Sequence, residues 1–228
     1  MKNLRVLMFI FCGIILILES FGQTFEIKAG VNLSTMISKD DRSTYSDDYT
    51  LTPRLLFGLT AEFPINQIFS FETGLLFSSK GYKLDSYYKL YEDSEPNRIY
   101  QNAILNYIDI PLSLKTATSF LRFPIYGMIG PYVGIGLNGK FIADELSGGV
   151  IERREYKQQF GSDGSWKRFD YGLQVGTGIV IGKFDFGLNY AYGLANISQH
   201  SPYIAKNRII GLTLGYKFKT KEPSPIIK

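Results

Sequence analysis

The sequence predicts an all-β chain folded as an eight-stranded antiparallel up-and-down transmembrane β-barrel. Three observations carry this expectation. From Phe25 to Phe218, apolar and polar residues alternate in segments of about ten residues. The breaks between segments are alternately short and long, and glycine gathers on the polar side of the segments. Ile65-Asn66-Gln67 and Gly182-Lys183 are tight breaks, whereas 37–52, 81–102 and 139–165 are long ones. A barrel with tight turns on one side of a bilayer and long loops on the other has this asymmetry.

The first element is a leader. Lys2 and Arg5 precede an uninterrupted apolar run from Val6 to Leu18, followed by Glu19-Ser20-Phe21-Gly22, which reads as a signal peptide cleaved after about residue 22. Cys12 lies inside the apolar run, behind Phe11 where a lipoprotein signal carries a small residue, so no lipid anchor is expected. The mature chain then starts near Gln23 without a thiol. Loss of Lys2, Arg5 and Glu19 lowers the formal charge from +4 to +3, spread along the chain without a polybasic block, which argues against nucleic acid as a partner. No later stretch approaches the roughly eighteen apolar residues of a spanning helix. A mature chain in a membrane must therefore be a closed barrel. Residues 23–218 read as one barrel domain, and 219–228, with Pro223 and Pro225, as an unstructured periplasmic tail.

Strands are expected near 25–35, 54–63, 68–80, 103–115, 121–138, 166–181, 184–197 and 208–218. The even number brings both chain ends to one side of the membrane. In the first strand Phe25, Ile27, Ala29, Val31 and Leu33 oppose Glu26, Lys28, Gly30, Asn32 and Ser34. Leu55, Phe57, Leu59, Ala61 and Phe63 repeat the pattern in the second, as do Phe184, Phe186, Leu188, Tyr190, Tyr192 and Leu194 in the seventh. Such period-two alternation means two faces in two environments.

Alternation does not say which face is inside, because a soluble ligand-carrying barrel would reverse it. Glycine decides the matter. Gly30, Gly58, Gly74, Gly134, Gly136, Gly172, Gly176, Gly178, Gly187, Gly193, Gly211 and Gly215 share the polar face, with Gly127 the exception. Glycine weakens a water-facing strand, whereas a narrow eight-stranded lumen needs missing side chains beside large ones. The polar face is therefore expected inward. Phe25, Phe63, Phe69, Phe184 and Phe218 fall at short-turn ends, and Phe77, Phe169, Tyr171 and Tyr192 toward long-loop ends, as two interfacial girdles would.

Lys28-Ala29-Gly30-Val31-Asn32-Leu33-Ser34, Asn106-Tyr107-Ile108-Asp109-Ile110-Pro111-Leu112, Gly130-Pro131-Tyr132-Val133-Gly134 and Tyr190-Ala191-Tyr192-Gly193-Leu194-Ala195-Asn196-Ile197 resemble the PorT-type outer-membrane β-barrel family of Bacteroidota. The resemblance spans almost the whole mature chain and implies a bacterial outer-membrane location. It implies no catalytic residue and no cofactor. One member gives its name to a component of a type IX secretion apparatus, so the resemblance also admits a role in a secretion or envelope machine.

The inward polar set includes Lys28, Glu62, Glu72, Tyr107, Asp109, Arg122, Tyr126, Tyr132, Gln174, Asp185, Asn189 and Lys217. Charges in so small a lumen must be paired, so a plugging network is favoured over an ion path. By strand counting, Lys28, Glu72 and Asp109 fall at similar depth, and Glu26 and Lys217 meet where the last strand closes on the first. The sole histidine, His200, lies between Ser198 and Ser201, which raises lipid hydrolysis at the outer rim as a rival. Without an acid nearby or a motif spacing, an exposed loop histidine is the better account. Asp40, Asp41, Asp47 and Asp48 could attract calcium but lack the spacing of a calcium loop. Thiolate or imidazole metal sites do not fit a mature chain with one histidine. Gly148-Gly149 and Gly161-Ser162-Asp163-Gly164 read as turns rather than phosphate loops.

Tyr45, Tyr49, Tyr82, Tyr87, Tyr88, Tyr91, Tyr100 and Tyr156 enrich the long segments. They suit contact with proteins or glycans, or, by the plainer reading, strands that continue above the membrane. The expectation is a monomeric, lipid-embedded structural or surface-contact protein with no catalytic, cofactor or metal residues.

Overall fold

Among the described residues, alternating segments build ten strands: β1 (Thr24–Lys39), β2 (Tyr49–Thr50), β3 (Thr52–Pro64), β4 (Phe69–Tyr88), β5 (Asn97–Thr118), β6 (Ile125–Ser147), β7 (Val150–Gln158), β8 (Phe169–Ile181), β9 (Phe184–Gly193) and β10 (Ile204–Lys219). The structure, a computed structural model, describes residues 23–88, 97–118, 124–147, 150–162, 164–200 and 202–219. The leader 1–22 and residues 220–228 of the tail lie outside the described residues.

Eight strands close a ring in the order β1-β3-β4-β5-β6-β8-β9-β10, each antiparallel to its neighbours, and β10 returns to β1. That seam runs unbroken from Thr24↔Lys219 to Lys39↔Ile204. The predicted barrel is therefore present. No helix among the described residues is long and apolar enough to cross a membrane.

The faces follow the alternation. Phe25, Ile27, Leu55, Leu59, Leu75, Leu173, Leu188 and Leu214 lie exposed on the outer wall, while Glu26, Lys28, Asn32, Thr60, Glu72 and Asp185 are buried inside. Glycine occupies the crowded side. A Cβ at Gly178 would strike the Tyr126 hydroxyl, one at Gly211 the Asn189 side chain, and one at Gly215 the Glu26 carboxylate. Gly127, the exception in sequence, meets open space.

Both tight breaks are turns. Asn66 Oδ1 accepts the N–H groups of Ile68 and Phe69 at 2.8 Å each, and Gly182 takes a φ of 62°, a left-handed conformation that glycine adopts without strain.

Two of the long segments are largely strand, beyond the expected strand bounds but as the plainer reading of their tyrosines had it. Strand β4 runs on to Tyr88 and β5 starts at Asn97, so most of 81–102 is strand. Strand β6 continues to Ser147 and folds back as β7, inside the stretch 139–165 read as loop. The cause is physical: polar residues on both faces still form a ladder once the strands rise out of the bilayer, but they erase the apolar period that marks strands in sequence.

Leu59 lies in the middle of β3, 60% exposed, with Ile27 and Leu75 as register partners. Leu59→Lys is expected to weaken folding by about 2–4 kcal/mol, the cost of a cation on the lipid face near the midplane. Denaturant titration of the barrel in lipid vesicles, followed by Trp166 fluorescence, measures this. An unchanged midpoint would mean that the apolar wall does not face lipid.

Candidate functional site: the filled lumen and the extracellular rim

The lumen is packed in layers. At the short-turn end, Lys115 Nζ lies 2.9 Å from Glu72 and 3.2 Å from Glu62, Lys28 Nζ 3.1 Å from Glu72 and 3.7 Å from Glu26, and Lys217 Nζ 2.9 Å from Asp185. Neutral donors complete the acids: Ser70 Oγ donates to Glu62 at 2.7 Å and Tyr126 OH to Asp185 at 2.7 Å. The Lys115 ammonium also sits 4.1 Å from the centre of the Tyr126 ring. Burying such groups is costly unless they are paired and hydrogen-bonded, and these contacts supply that pairing.

Toward the long-loop end, Lys80 Nζ lies fully buried between Asp109 at 2.8 Å and Asp170 at 3.0 Å. The rings of Tyr107 and Tyr132 flank it at 4.7 and 4.6 Å. Asn207 Nδ2 donates to Asp170 at 2.9 Å and Tyr132 OH donates to it at 3.3 Å. Between the two layers a cavity of about 50 Å³, bordered by Asn32, Glu72, Asp109 and Gln174, has room for a few waters.

An apolar stopper closes the mouth. Phe160, from the connection after β7, turns inward edge-on to Tyr107 with ring centres 5.2 Å apart, over Met36, Leu105 and Ile197. The missing side chain of Gly136 makes its place, since a Cβ there would collide with the Phe160 ring. Tyr49 stacks on Tyr82 at 4.2 Å beside it, and the Ser38 and Tyr203 hydroxyls are hydrogen-bonded.

Lys28, Glu62, Glu72, Tyr107, Asp109, Tyr126, Tyr132, Gln174, Asp185, Asn189 and Lys217 thus all face the lumen, and Arg122 lies outside the described residues. Two details of the expected network are corrected. Asp109 does not join Lys28 and Glu72, because its register partner is Leu76 and Glu72 pairs with Ser113, so it meets Lys80 higher up. Glu26 and Lys217 are register partners across the seam, but the Lys217 ammonium reaches to Asp185 and Glu62. Lys80, Lys115 and Asp170 were missed. Each stands an even number of residues from Glu72, Asp109 or Gln174 on its strand and inside the expected strand bounds, so parity alone was enough to place them in the lumen.

At the rim, Ser198 Oγ donates to the His200 carbonyl at 3.2 Å and accepts the His200 N–H at 3.1 Å. It is engaged with backbone, not imidazole. Ser201 lies outside the described residues. Asp40 closes a turn: its Oδ1 accepts the N–H groups of Arg42 and Ser43 at 2.8 Å, and its Oδ2 the Tyr45 hydroxyl at 2.7 Å. The Tyr45 hydrogen bond, with the two backbone donors, holds the Asp40 carboxyl below the usual carboxylate range. Asp47 and Asp48 lie on a single 3-10 turn, and no cluster of three metal-binding side chains occurs among the described residues. Tyr82, Tyr87, Tyr100 and Tyr156 lie on strands, and Tyr49 on β2, as the plainer reading had it; Tyr91 lies outside the described residues.

The model of a family described as outer membrane protein beta-barrel domain matches residues 21–199. The chain belongs to this family. It is an outer-membrane β-barrel protein. Among solved structures, the chain is similar to Ail of Yersinia pestis, crystallised with the heparin analogue sucrose octasulfate, at 14% identity and TM-score 0.40 over 86% of this chain and 99% of that one. Neisserial surface protein A aligns at 15% identity and TM-score 0.40 over 86% and 97%. OprG from Pseudomonas aeruginosa aligns at 12% and 0.44 over 88% and 97%. No curated protein matches the sequence.

Removing one charge of the upper layer should be costly and removing all of them mild. Lys80→Met is expected to destabilise the barrel by about 3–5 kcal/mol, whereas the combination with Asp109→Asn and Asp170→Asn recovers most of that loss. Urea titration in vesicles checks both. The Asp40 turn carries a pH dependence of defined sign. Its carboxyl titrates lower in the folded loop than in a free chain, so the turn is at full strength above the ordinary carboxylate pKa and is lost as pH falls through the depressed value. The Arg42 and Ser43 amide resonances should shift in that acid window, and Asp40→Asn should abolish the shift.

Proposed function

We propose that this outer-membrane barrel is a non-conducting, non-enzymatic protein that acts through its extracellular rim, as a contact surface for proteins or glycans. The observation that carries this reading is the filled lumen: two ion-pair layers and the Phe160 stopper occupy it, and the cavity between the layers measures about 50 Å³. A barrel with so little interior has its usable chemistry outside.

The rim supports the reading. Strands β4, β5, β6 and β7 rise beyond the outer girdle and carry interleaved tyrosines and charges. Arg153 bonds Asp144 at 2.7 Å and lies 4.6 Å over the Tyr100 ring, and Tyr87 and Tyr156 are exposed. Tyrosine offers large contact area at low entropy cost, and ion pairs between strands hold that area rigid. Export through a cleaved leader at 1–22, a monomeric state and membership of the PorT-type branch in Bacteroidota belong to the same proposal. The unbroken β1–β10 seam favours the monomer, since it leaves no strand edge within the barrel ring for a second copy.

Purified protein in planar bilayers should show no steady conductance, and a photo-reactive residue replacing Tyr87 or Tyr156 on intact cells should form discrete protein or glycan adducts that the same residue at Leu59 does not form. Steady conductance would overturn the closed-lumen reading. Fatty-acid release that His200→Ala abolishes would overturn the non-enzymatic one.

A further inference from the structure

Strand β6 changes partner along its length. It pairs with β8 as far as Ile135↔Phe169 and with β7 from Gly139 onward. Residues 136–138 lie at the fork, held by Gly136 N–H donating to the Arg168 carbonyl at 2.7 Å. On the opposite edge of β6, the register with β5 slips between Asn106 and Tyr107, and Leu137 becomes the extra residue of a bulge. The chain after β7 turns inward to place Phe160 in the mouth, so the outer side of the wall is notched there. The notch measures about 580 Å³.

Its chemistry is two-sided. Ile104 and Leu137 give an apolar floor, and Lys140, Lys157 and Arg168 bring three cations around it. The single carboxylate, Glu155, is held 3.3 Å from Lys140 Nζ. Arg168 donates one hydrogen bond to the Phe160 carbonyl at 3.3 Å, and Lys157 has no ion pair among the described residues. The notch therefore carries a surplus of positive charge.

Its height matters as much. The notch begins one residue above the Ile135–Phe169 pair, where exposed Phe169 and Tyr171 form the outer aromatic girdle. Aromatic girdles mark the membrane–water interface, the layer that holds lipid headgroups. Directly below, Ile129, Leu173 and Val175 continue the exposed apolar wall. An occupant with an anion at the notch and hydrocarbon beneath it would match both surfaces. We infer that this notch is a binding site for the phosphate-bearing headgroup of an outer-leaflet lipid, with Lys157 and Arg168 holding the phosphate and the acyl chains lying on the wall of β6 and β8.

Native mass spectrometry of the detergent-folded full barrel tests this, using diphosphorylated lipid A and its enzymatically dephosphorylated form as probes. One phosphorylated lipid per barrel is expected to survive detergent removal. The variant Lys157→Glu/Arg168→Glu should lose about tenfold in lipid retention, as expected when charge-assisted contacts to phosphate become repulsive. Gel-shift on heating confirms that the variant is folded, and the milder Lys157→Gln serves if it is not. Equal retention by the folded variant, or of the dephosphorylated lipid, would overturn the proposal. Inorganic phosphate binding as tightly as the lipid, with the same dependence on Lys157 and Arg168, would show a soluble-anion site and overturn the lipid assignment.

Discussion

A bilayer offers no hydrogen-bond partner to the peptide backbone, so every N–H and C=O in its core must be satisfied within the protein, and the rest of this molecule depends on how that is met. Here β10 returns to β1 along its whole length and the sheet has no edge in the hydrocarbon. Closing eight strands fixes a diameter, and that diameter leaves a shaft wide enough only for side chains. The glycines, the ion pairs and the stopper are successive consequences of that one width. Large side chains such as Tyr126 fit because Gly178 and Gly187 stand across from them.

Within the shaft, polar residues satisfy one wall and burden another. A lysine such as Lys115 is far too hydrophilic for the lipid face, yet inside it must be matched by Glu62, Glu72 and Asp185 at once. Among the described residues the two layers hold six carboxylates against four ammonium groups, which explains why Tyr126, Tyr132, Ser70 and Asn207 all donate to acids. The network contributes modestly to stability relative to a well-packed apolar fill, because desolvation offsets most of the attraction. What it does fix is register. A slip of one residue would carry Lys28, Glu72 and Lys115 to the lipid side and Leu59 and Leu75 to the lumen.

This is why the wall was legible in sequence and the rim was not. In the membrane each strand sees oil on one side and a crowded polar shaft on the other, so composition alternates residue by residue, and Phe25 to Leu33 or Phe184 to Leu194 can be oriented by parity and glycine alone. Above the girdle both faces meet water, and the alternation that marked β4 and β6 fades although their ladders continue to Tyr88 and Ser147. Lys80 and Asp170 lie near the upper ends of the expected strands, where parity still assigns them to the lumen beside Glu72 and Gln174. The hairpin of β6 and β7, with polar residues on either side, left no period at all, and the fork it creates beside β8 is a tertiary fact that single-strand patterns do not hold.

Sealing and surface chemistry are coupled through that fork. Phe160 reaches the mouth because the chain leaves β7 toward the axis, and Gly136 accepts its ring where any side chain would refuse it. The same departure strips β6 of an outer neighbour at 136–138 and exposes the bulged Leu137 beside Lys140 and Arg168. A chain that ran straight from β7 into β8 along the wall would leave the mouth open and the wall smooth. The closed lumen and the cationic notch are therefore two sides of one backbone path, and the residue that permits both is the glycine at 136.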